Sequence, residues 1–331
     1  MEGEPFFRKK PIRWGIIGCG SVTEVKSGPP YQMTKDFKLA MVTRRDGEKA
    51  RDYAKRHKVP QWTTDPSEVI DHPDIDAVYI ATPPDTHMLY GIQVAKAGKP
   101  CCIEKPMSPC YADSLEVYNA FADRKLPLFI AYYRRSLPRF NQLKQWLDEG
   151  RIGEVRHIHW IKTRTTSPLD QSGDYNWRTD ANMALGGYFD DLASHGLNLF
   201  TYLLGDIAEA SGIASNQQGL YSAYDTISGS WKHKNGATGS GTWNFGSYRP
   251  IDRVEILGAR GEIHFSVLGK APLQLISDDG NQSVFIEHPK HLHQYHVENM
   301  RKHLFGKAEH PSLGDSGLHT SWVMDKILGV I

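Results

Sequence analysis

Residues 14–30 read WGIIGCGSVTEVKSGPP. The apolar run that leads into this stretch, Ile12–Ile17, has the character of a buried parallel strand. Gly18 and Gly20 then supply what a phosphate-binding turn needs first. One glycine makes the tight turn after the strand, and the other lets the backbone approach a pyrophosphate at a helix start. Thr23 stands where a third small residue would allow close helix–sheet contact, so the change touches packing and not phosphate contact. Gly28-Pro29 ends the helix early, with Pro29 opening a second piece. At the head of a βαβ array the stretch reads as a dinucleotide site, with Gly18, Cys19, Gly20, Ser21 and Val22 meeting the cofactor. A purely structural turn is the alternative.

Outward from this turn, strand-like runs at 37–43, 75–81, 101–103 and 128–131 alternate with helix-like runs at 47–58, 86–97 and 112–123. That alternation predicts right-handed βαβ units and a parallel, doubly wound Rossmann sheet over residues 8–131. The pattern then changes. A helix at 139–149, an alternating strand at 155–166 and a long apolar helix at 187–204 precede a series of short strands separated by Gly, Ser and Asn turns. This is α+β sequence with a mainly antiparallel sheet, placed in a second domain over 132–331. A closing helix over 319–330 could pack on either domain.

Composition narrows the function classes. The 331 residues carry 39 basic and 38 acidic side chains, a net charge of +1. Binding to nucleic acid or to an anionic membrane has no support in that balance, and the substrate need not be strongly charged. The first ten residues, MEGEPFFRKK, hold no signal-peptide core, and no apolar run approaches a membrane span. Cys19, Cys101, Cys102 and Cys110 suit neither a disulfide framework nor a C-x-x-C metal site, which points to reduced thiols in a cytoplasmic protein.

The end of the second strand separates the two nicotinamide dinucleotides. A carboxylate there accepts the ribose 2′-hydroxyl, whereas an arginine tolerates a 2′-phosphate. The sequence is Thr43-Arg44-Arg45-Asp46, so the expected cofactor is NADP or NAD, with NADP favoured. The alternative is that both arginines are simply solvated. Two further stretches carry chemistry. Glu104-Lys105-Pro106 follows a strand at the edge where doubly wound sheets bind ligands. In residues 185–195, LGGYFDDLASH, a helix would put Asp191 and His195 on one face.

These motifs occur in order along nearly the whole chain. Gly15, Gly18 and Gly20 come first, then Ala81-Thr82-Pro83-Pro84 with His87, then Glu104-Lys105-Pro106. Tyr133-Arg134-Arg135, Trp177-Arg178 and Gly186-Gly187 with Asp191 and His195 follow. So arranged, the sequence resembles the Gfo/Idh/MocA family, the glucose–fructose oxidoreductases and inositol dehydrogenases. Thr23 departs from the family pattern, as does Asn198, where many members carry an Asp. Asn198 would alter substrate contacts.

The resemblance implies a nucleotide-binding domain, a second domain with an open sheet, and an active site between them. It also implies a homodimer or homotetramer and reversible hydride transfer between a nicotinamide and a hydroxyl of a sugar, cyclitol or related polyhydroxy compound. Glu104 would contact the cofactor's ribose or nicotinamide. Thr82, Pro83 and His87 would line its adenosine and diphosphate side. The chemistry of alcohol oxidation agrees, since it needs a base for the hydroxyl proton and a cation for the developing alkoxide. His195 suits the first role and Lys105 the second, with Asp191 bonding the substrate or orienting Lys105 or His195. Trp177 and Arg178 would close over nicotinamide or substrate, or pack ordinarily. Arg135 would contact phosphate or substrate, or pair with acidic neighbours. His288, His291, His293 and His296 form a dense patch whose spacing completes no metal site, and no metal is expected. Two other functions remain open on the same fold: a redox-neutral enzyme that recycles a tightly held cofactor, and a dinucleotide-binding sensor without chemistry.

Overall fold

The short apolar strands bury both faces, and only a sheet covered by helices on each side can accommodate that. The computed structural model, which describes residues 4–331, falls into two compact units, and these strands form the sheet of the first. The first sheet comprises β1 (Ile12–Ile17), β2 (Phe37–Thr43), β3 (Gln61–Thr63), β4 (Ala77–Ile80), β5 (Cys101–Ile103) and β6 (Leu128–Ile130). It is interleaved with α1 (Ser21–Val25), α2 (Pro30–Met33), α3 (Gly47–His57), α4 (Pro66–Asp71), α5 (His87–Lys96) and α6 (Tyr111–Ala122). All six strands are parallel, in the order β3-β2-β1-β4-β5-β6. The order reverses direction at β1, so the loops after β1, β2, β4 and β5 share the edge where such sheets bind ligands. β3 and α4 fall in a stretch without clear periodicity, between the second and third strand-like runs of the sequence.

The second unit begins with α7 (Pro138–Asp148), β7 (Val155–Thr163), α8 (Pro168–Ser172) and α9 (Tyr188–Leu204). It continues with β8 (Ile207–Ser215), β9 (Thr226–His233), β10 (Thr238–Asn244), β11 (Ile251–Gly258), β12 (Gly261–Phe265), β13 (Leu273–Ser277) and β14 (Gln282–Val284). Its sheet runs β14-β13-β12-β11-β7-β10-β9-β8 and is antiparallel except where β10 lies parallel to β7. One face is buried beneath α9. Trp160 meets Phe200 edge to face at 5.6 Å, and Phe189 meets Trp243 at 4.9 Å. A Cβ on Gly196 would lie 2.3 Å from the Trp160 ring, so the helix reaches the sheet only because that position has no side chain. Trp146, Trp160, Trp231 and Trp243 of this unit are core residues.

Two helices close the chain, α10 (Gln294–Leu304) and α11 (Gly314–Leu328). Neither unit is one continuous stretch of sequence. The first comprises Met1–Leu137 and Pro289–Leu318, the second Pro138–His288 and His319–Ile331. The physical reason lies in the core of the first unit, where Val297, Met300 and Leu304 of α10 are buried among Trp14, Tyr31 and Phe129. Early in α11, Gly317 packs against Ile130. Later in the same helix, Ile327 packs over Gly212 and Gly229 of the second unit. The final helical residues therefore belong to the second unit.

Candidate active site

At the edge of the parallel sheet, Gly18 has a φ of +90°, and a Cβ there would come within 2.6 Å of the Thr82 methyl. Only glycine fits. The amides of Gly18 and Cys19 both donate to the Thr43 carbonyl, at 2.9 and 3.0 Å, which ties the turn to the end of β2. Arg44 adds a hydrogen bond from Nη1 to the Cys19 carbonyl at 3.3 Å. Gly20 faces open space, for a Cβ on it would meet nothing nearer than the Gly18 oxygen at 3.8 Å. A backbone this bare, at a helix start on the ligand edge, fits the close approach of a dinucleotide pyrophosphate. Ser21 is exposed and Val22 half-buried at the same helix start, whereas the Cys19 thiol points inward and is buried.

Thr23 is fully buried. Its hydroxyl donates to the Gly20 carbonyl at 2.9 Å, and its own carbonyl accepts from the Tyr53 hydroxyl at 3.0 Å. The tight packing expected of a third glycine has moved to Gly28, where a Cβ would lie 2.2 Å from the Thr23 oxygen. The interruption at Gly28-Pro29 separates α1 from α2, with Pro29 as N-cap and Pro30 at the first helical position.

The residues after β4 and β5 separate into surface and support. Pro83 is exposed, and Thr82 is half-buried with its hydroxyl accepting from that of Thr86 at 2.7 Å. His87 is buried, with one ring nitrogen 2.8 Å from the Thr82 carbonyl and the other 2.9 Å from that of Pro106. It fastens two loops together and presents no edge to solvent, and burial holds its pKa below the usual histidine range. Glu104 is also buried. Tyr79 Oη donates to it at 2.5 Å, and the Lys105 amide donates to its other oxygen at 3.2 Å. Burial raises its pKa. Lys105 itself is half-buried.

The histidine patch lies against this support. His291 Nδ1 sits 2.6 Å from the Val25 carbonyl, and the His293 amide donates to the Lys26 carbonyl at 3.1 Å. His293 packs on Tyr133 with ring centroids 4.5 Å apart and lies 3.8 Å from Glu104. Burial, with Lys26, Lys105 and Arg134 nearby, pushes its pKa down to about 3. The Glu104 contact is therefore polar and not an ion pair. His296 is buried 3.8 Å from the Cys102 sulfur. Among the described residues, no three His, Cys, Asp or Glu side chains are arranged to hold a metal ion. Arg135 is buried too and donates to the Pro311 carbonyl at 3.0 Å.

In the second unit, Gly187 has a φ of +63°, and a Cβ would lie 2.7 Å from the Tyr224 carbonyl. This turn starts α9, whose one-turn spacing puts Asp191 and His195 on the same face, both at least nine-tenths buried. Arg178 donates from Nε to Asp191 at 2.6 Å and stacks on Trp177 with its guanidinium 4.4 Å from the ring centre. Asn198 is buried and donates to the Thr320 hydroxyl at 2.9 Å, so its amide ties α9 to α11.

One residue escapes the sequence reading. Asp190 is buried, with one oxygen accepting from the Gly186 amide at 3.0 Å and the other without a hydrogen-bond partner among the described residues. Burial, with Asp325 and Asp191 nearby, pushes its pKa up to about 8. Two consecutive aspartates at a helix start were the only trace of it in the sequence.

The comparisons with known proteins cover both units. The model of an oxidoreductase family with an NAD-binding Rossmann fold matches residues 12–132, and that of the GFO/IDH/MocA C-terminal domain matches residues 140–264. Oxidoreductase P35 of Formosa agariphila is 33% identical over 96% of this chain and 98% of its own. Levoglucosan dehydrogenase of Pseudarthrobacter phenanthrenivorans is 28% identical over 79% of this chain and 75% of its own. Myo-inositol 2-dehydrogenase of Thermotoga maritima is 25% identical over 82% and 80%. A solved structure of levoglucosan dehydrogenase with NADH and levoglucosan shares the fold at a TM-score of 0.82, over 96% of each chain at 22% identity. A doubly wound sheet carrying the glycine turn and a second sheet, each matched by its own half of one family, make this chain an NAD-binding oxidoreductase of the Gfo/Idh/MocA family.

Proposed function

We propose that the protein transfers a hydride between a nicotinamide dinucleotide and a secondary hydroxyl or keto group of a sugar, cyclitol or related polyhydroxy compound. The observation that carries this reading is the position of Lys105. It lies two residues beyond the end of β5, after Glu104, at the same edge of the parallel sheet as the bare glycine turn after β1. The names of the relatives, levoglucosan and inositol dehydrogenases, support the substrate class.

The residues divide the work by their chemistry. Gly18, Cys19, Gly20, Ser21 and Val22 would hold the pyrophosphate, with Thr82 and Pro83 beside it. The bound nicotinamide supplies the hydride acceptor or donor. His195 exchanges the hydroxyl proton, as an imidazole near neutral pH can do in either direction. Lys105 hydrogen-bonds the substrate oxygen and stabilises the negative charge that grows on it. Asp191 accepts a substrate hydroxyl, and Arg178 keeps its carboxylate in place. In oxidation the substrate carbon would give up its hydrogen with the C–H bonding pair as hydride to a bound oxidised nicotinamide, the O–H proton would go to His195, and a carbonyl would remain. Because Arg178 is matched by Asp191, this face suits an uncharged polyol better than an acidic one.

NADP is the favoured cofactor. Asp46, the carboxylate nearest the end of β2, is engaged as the N-cap of α3, accepting from the Lys49 amide at 3.1 Å. Arg44 and Arg45 remain at that strand end to meet a 2′-phosphate.

The test is a panel of sugars and cyclitols with NAD and with NADP, followed at 340 nm, on wild type and Lys105→Ala. A loss of kcat/KM well above tenfold, more than about 1.4 kcal/mol of transition-state stabilisation, is expected from the substitution. Unchanged kcat/KM removes Lys105 from the reaction. Altered sugar without net change at 340 nm indicates internal recycling of the cofactor, and binding without chemistry indicates a sensor.

A further inference from the structure

The short 3-10 turn Trp177–Thr179 is tied to the start of α9 at two points. Asn176 Nδ2 donates to the Tyr188 hydroxyl at 2.9 Å, and Arg178 Nε donates to Asp191 at 2.6 Å. Tyr188 and Asp191 are three residues apart, so both ties reach one turn of the same helix. Asn176 also caps the turn from its own side, because its side-chain oxygen accepts the Arg178 amide at 3.3 Å. Its backbone carbonyl accepts the Thr179 amide and hydroxyl, each at 2.8 Å. One side chain thus grips both the turn and the helix.

Tyr188 is in turn anchored. Its hydroxyl donates to Asp170 at 2.5 Å, and its ring lies under the Arg164 guanidinium, 3.9 Å from the ring centre. Arg164 pairs with the same Asp170, which also closes the capping box of α8 with Ser167. The network therefore runs from β7 through α8 and Tyr188 to Asn176, and through the turn back to Asp191. Arg178 is a long side chain still about a third exposed, and left alone it would sample many rotamers. Pinning the turn fixes where that side chain starts, so fewer placements have to be searched before the ion pair forms.

We propose that Asn176 and Tyr188 are positioning residues that staple the Trp177–Thr179 turn to α9 and so hold Arg178 on the Asp191 carboxylate. The effect on turnover rests on the role given to Asp191 above, but the staple can be read without substrate. Tyr188→Phe keeps the ring under Arg164 and removes only the hydroxyl. Asn176→Ala, at a half-buried loop position, removes the tie from the other side.

The experiment measures the rate at which phenylglyoxal labels individual arginines of the full chain, by peptide mass spectrometry, in wild type and both variants. Labelling of Arg178 should rise several-fold in each variant while that of Arg164 holds. Equal acceleration at Arg164, or none at Arg178, overturns the staple. With the substrate found in the panel, Tyr188→Phe should lower kcat/KM roughly tenfold in the wild-type background and cost nothing further in Arg178→Ala, because both act through one contact. Losses that multiply show that Tyr188 acts by another route and overturn the proposal. If labelling responds while neither Arg178→Ala nor Asp191→Asn alters turnover, the staple stands and the role given to Asp191 falls.

Discussion

At Thr23 a hydroxyl and a methyl occupy the place of a third small residue, and the chain satisfies both. The hydroxyl closes on the Gly20 carbonyl, and Gly28 takes over the close approach. If NADP is the cofactor as proposed, Arg44→Ala should raise KM for NADP more than for NAD, by roughly tenfold for a lost charge-assisted contact. Equal effects on the two cofactors would show that Arg44 serves only to brace the Cys19 carbonyl. Asp190 makes a prediction about pH. Its pKa in the folded protein is raised from 3.8 to about 8, so the folded state holds a proton that the unfolded chain has released. Its stabilising share is therefore complete below pH 3.8 and is lost as pH rises toward 8, at about 1.4 kcal/mol per pH unit. Asp190→Asn, neutral at every pH, should flatten that slope in denaturant titrations between pH 6 and 8. An unchanged slope would mean that the carboxyl ionises freely in the fold.

Among the elements, α9 shows most directly how local backbone demands place chemistry. The turn before it needs a positive φ at Gly187 and has no room for a side chain. Gly187→Ala should cost about 1–3 kcal/mol in strain alone, measured by thermal or denaturant unfolding, and more with the clash against Tyr224. A smaller loss would mean that the turn can shift, and Asp191 with it. The spacing of Asp191 and His195 was legible because a helix repeats every few residues. The partner of Asp191 was not, since Arg178 approaches from a separate turn whose path no periodicity encodes. β3 and β14 escaped notice for a different reason. Both are three-residue strands with mostly exposed or half-exposed side chains, whereas β5 and β6, equally short, were legible as fully buried apolar runs.

For the molecule as a whole, the return of residues 289–318 to the first unit carries the strongest structural consequence. Val297, Met300 and Leu304 fill that unit's core, and His293 and His296 pack beneath Glu104 and Cys102. Removing residues 289–331 should leave residues 4–288 unable to fold cooperatively, seen as loss of the thermal transition by circular dichroism. A melt like that of the full chain would show that α10 is dispensable. Several residues named from sequence as site candidates also tie parts of the fold together. His87 joins two loops, Arg135 holds the Pro311 carbonyl, and Asn198 ties α9 to α11. Among the described residues no helix is long and apolar enough to cross a membrane.

What the sequence determined by itself is whatever depends on near neighbours along the chain. The strand that stops at Gly18, the alternation of strand and helix, the one-turn pairing of Asp191 with His195, and the family to which these motifs belong are of this kind. Tertiary structure alone decided which polar side chains stay at the surface and which are sealed inside. The hydrogen bond from Arg135 to Pro311 spans 176 residues, and that from Asn198 to Thr320 spans 122. A contact of that length exists only once the chain has returned on itself, and burial then fixes whether a histidine, an arginine or an aspartate is charged, paired or withdrawn from chemistry.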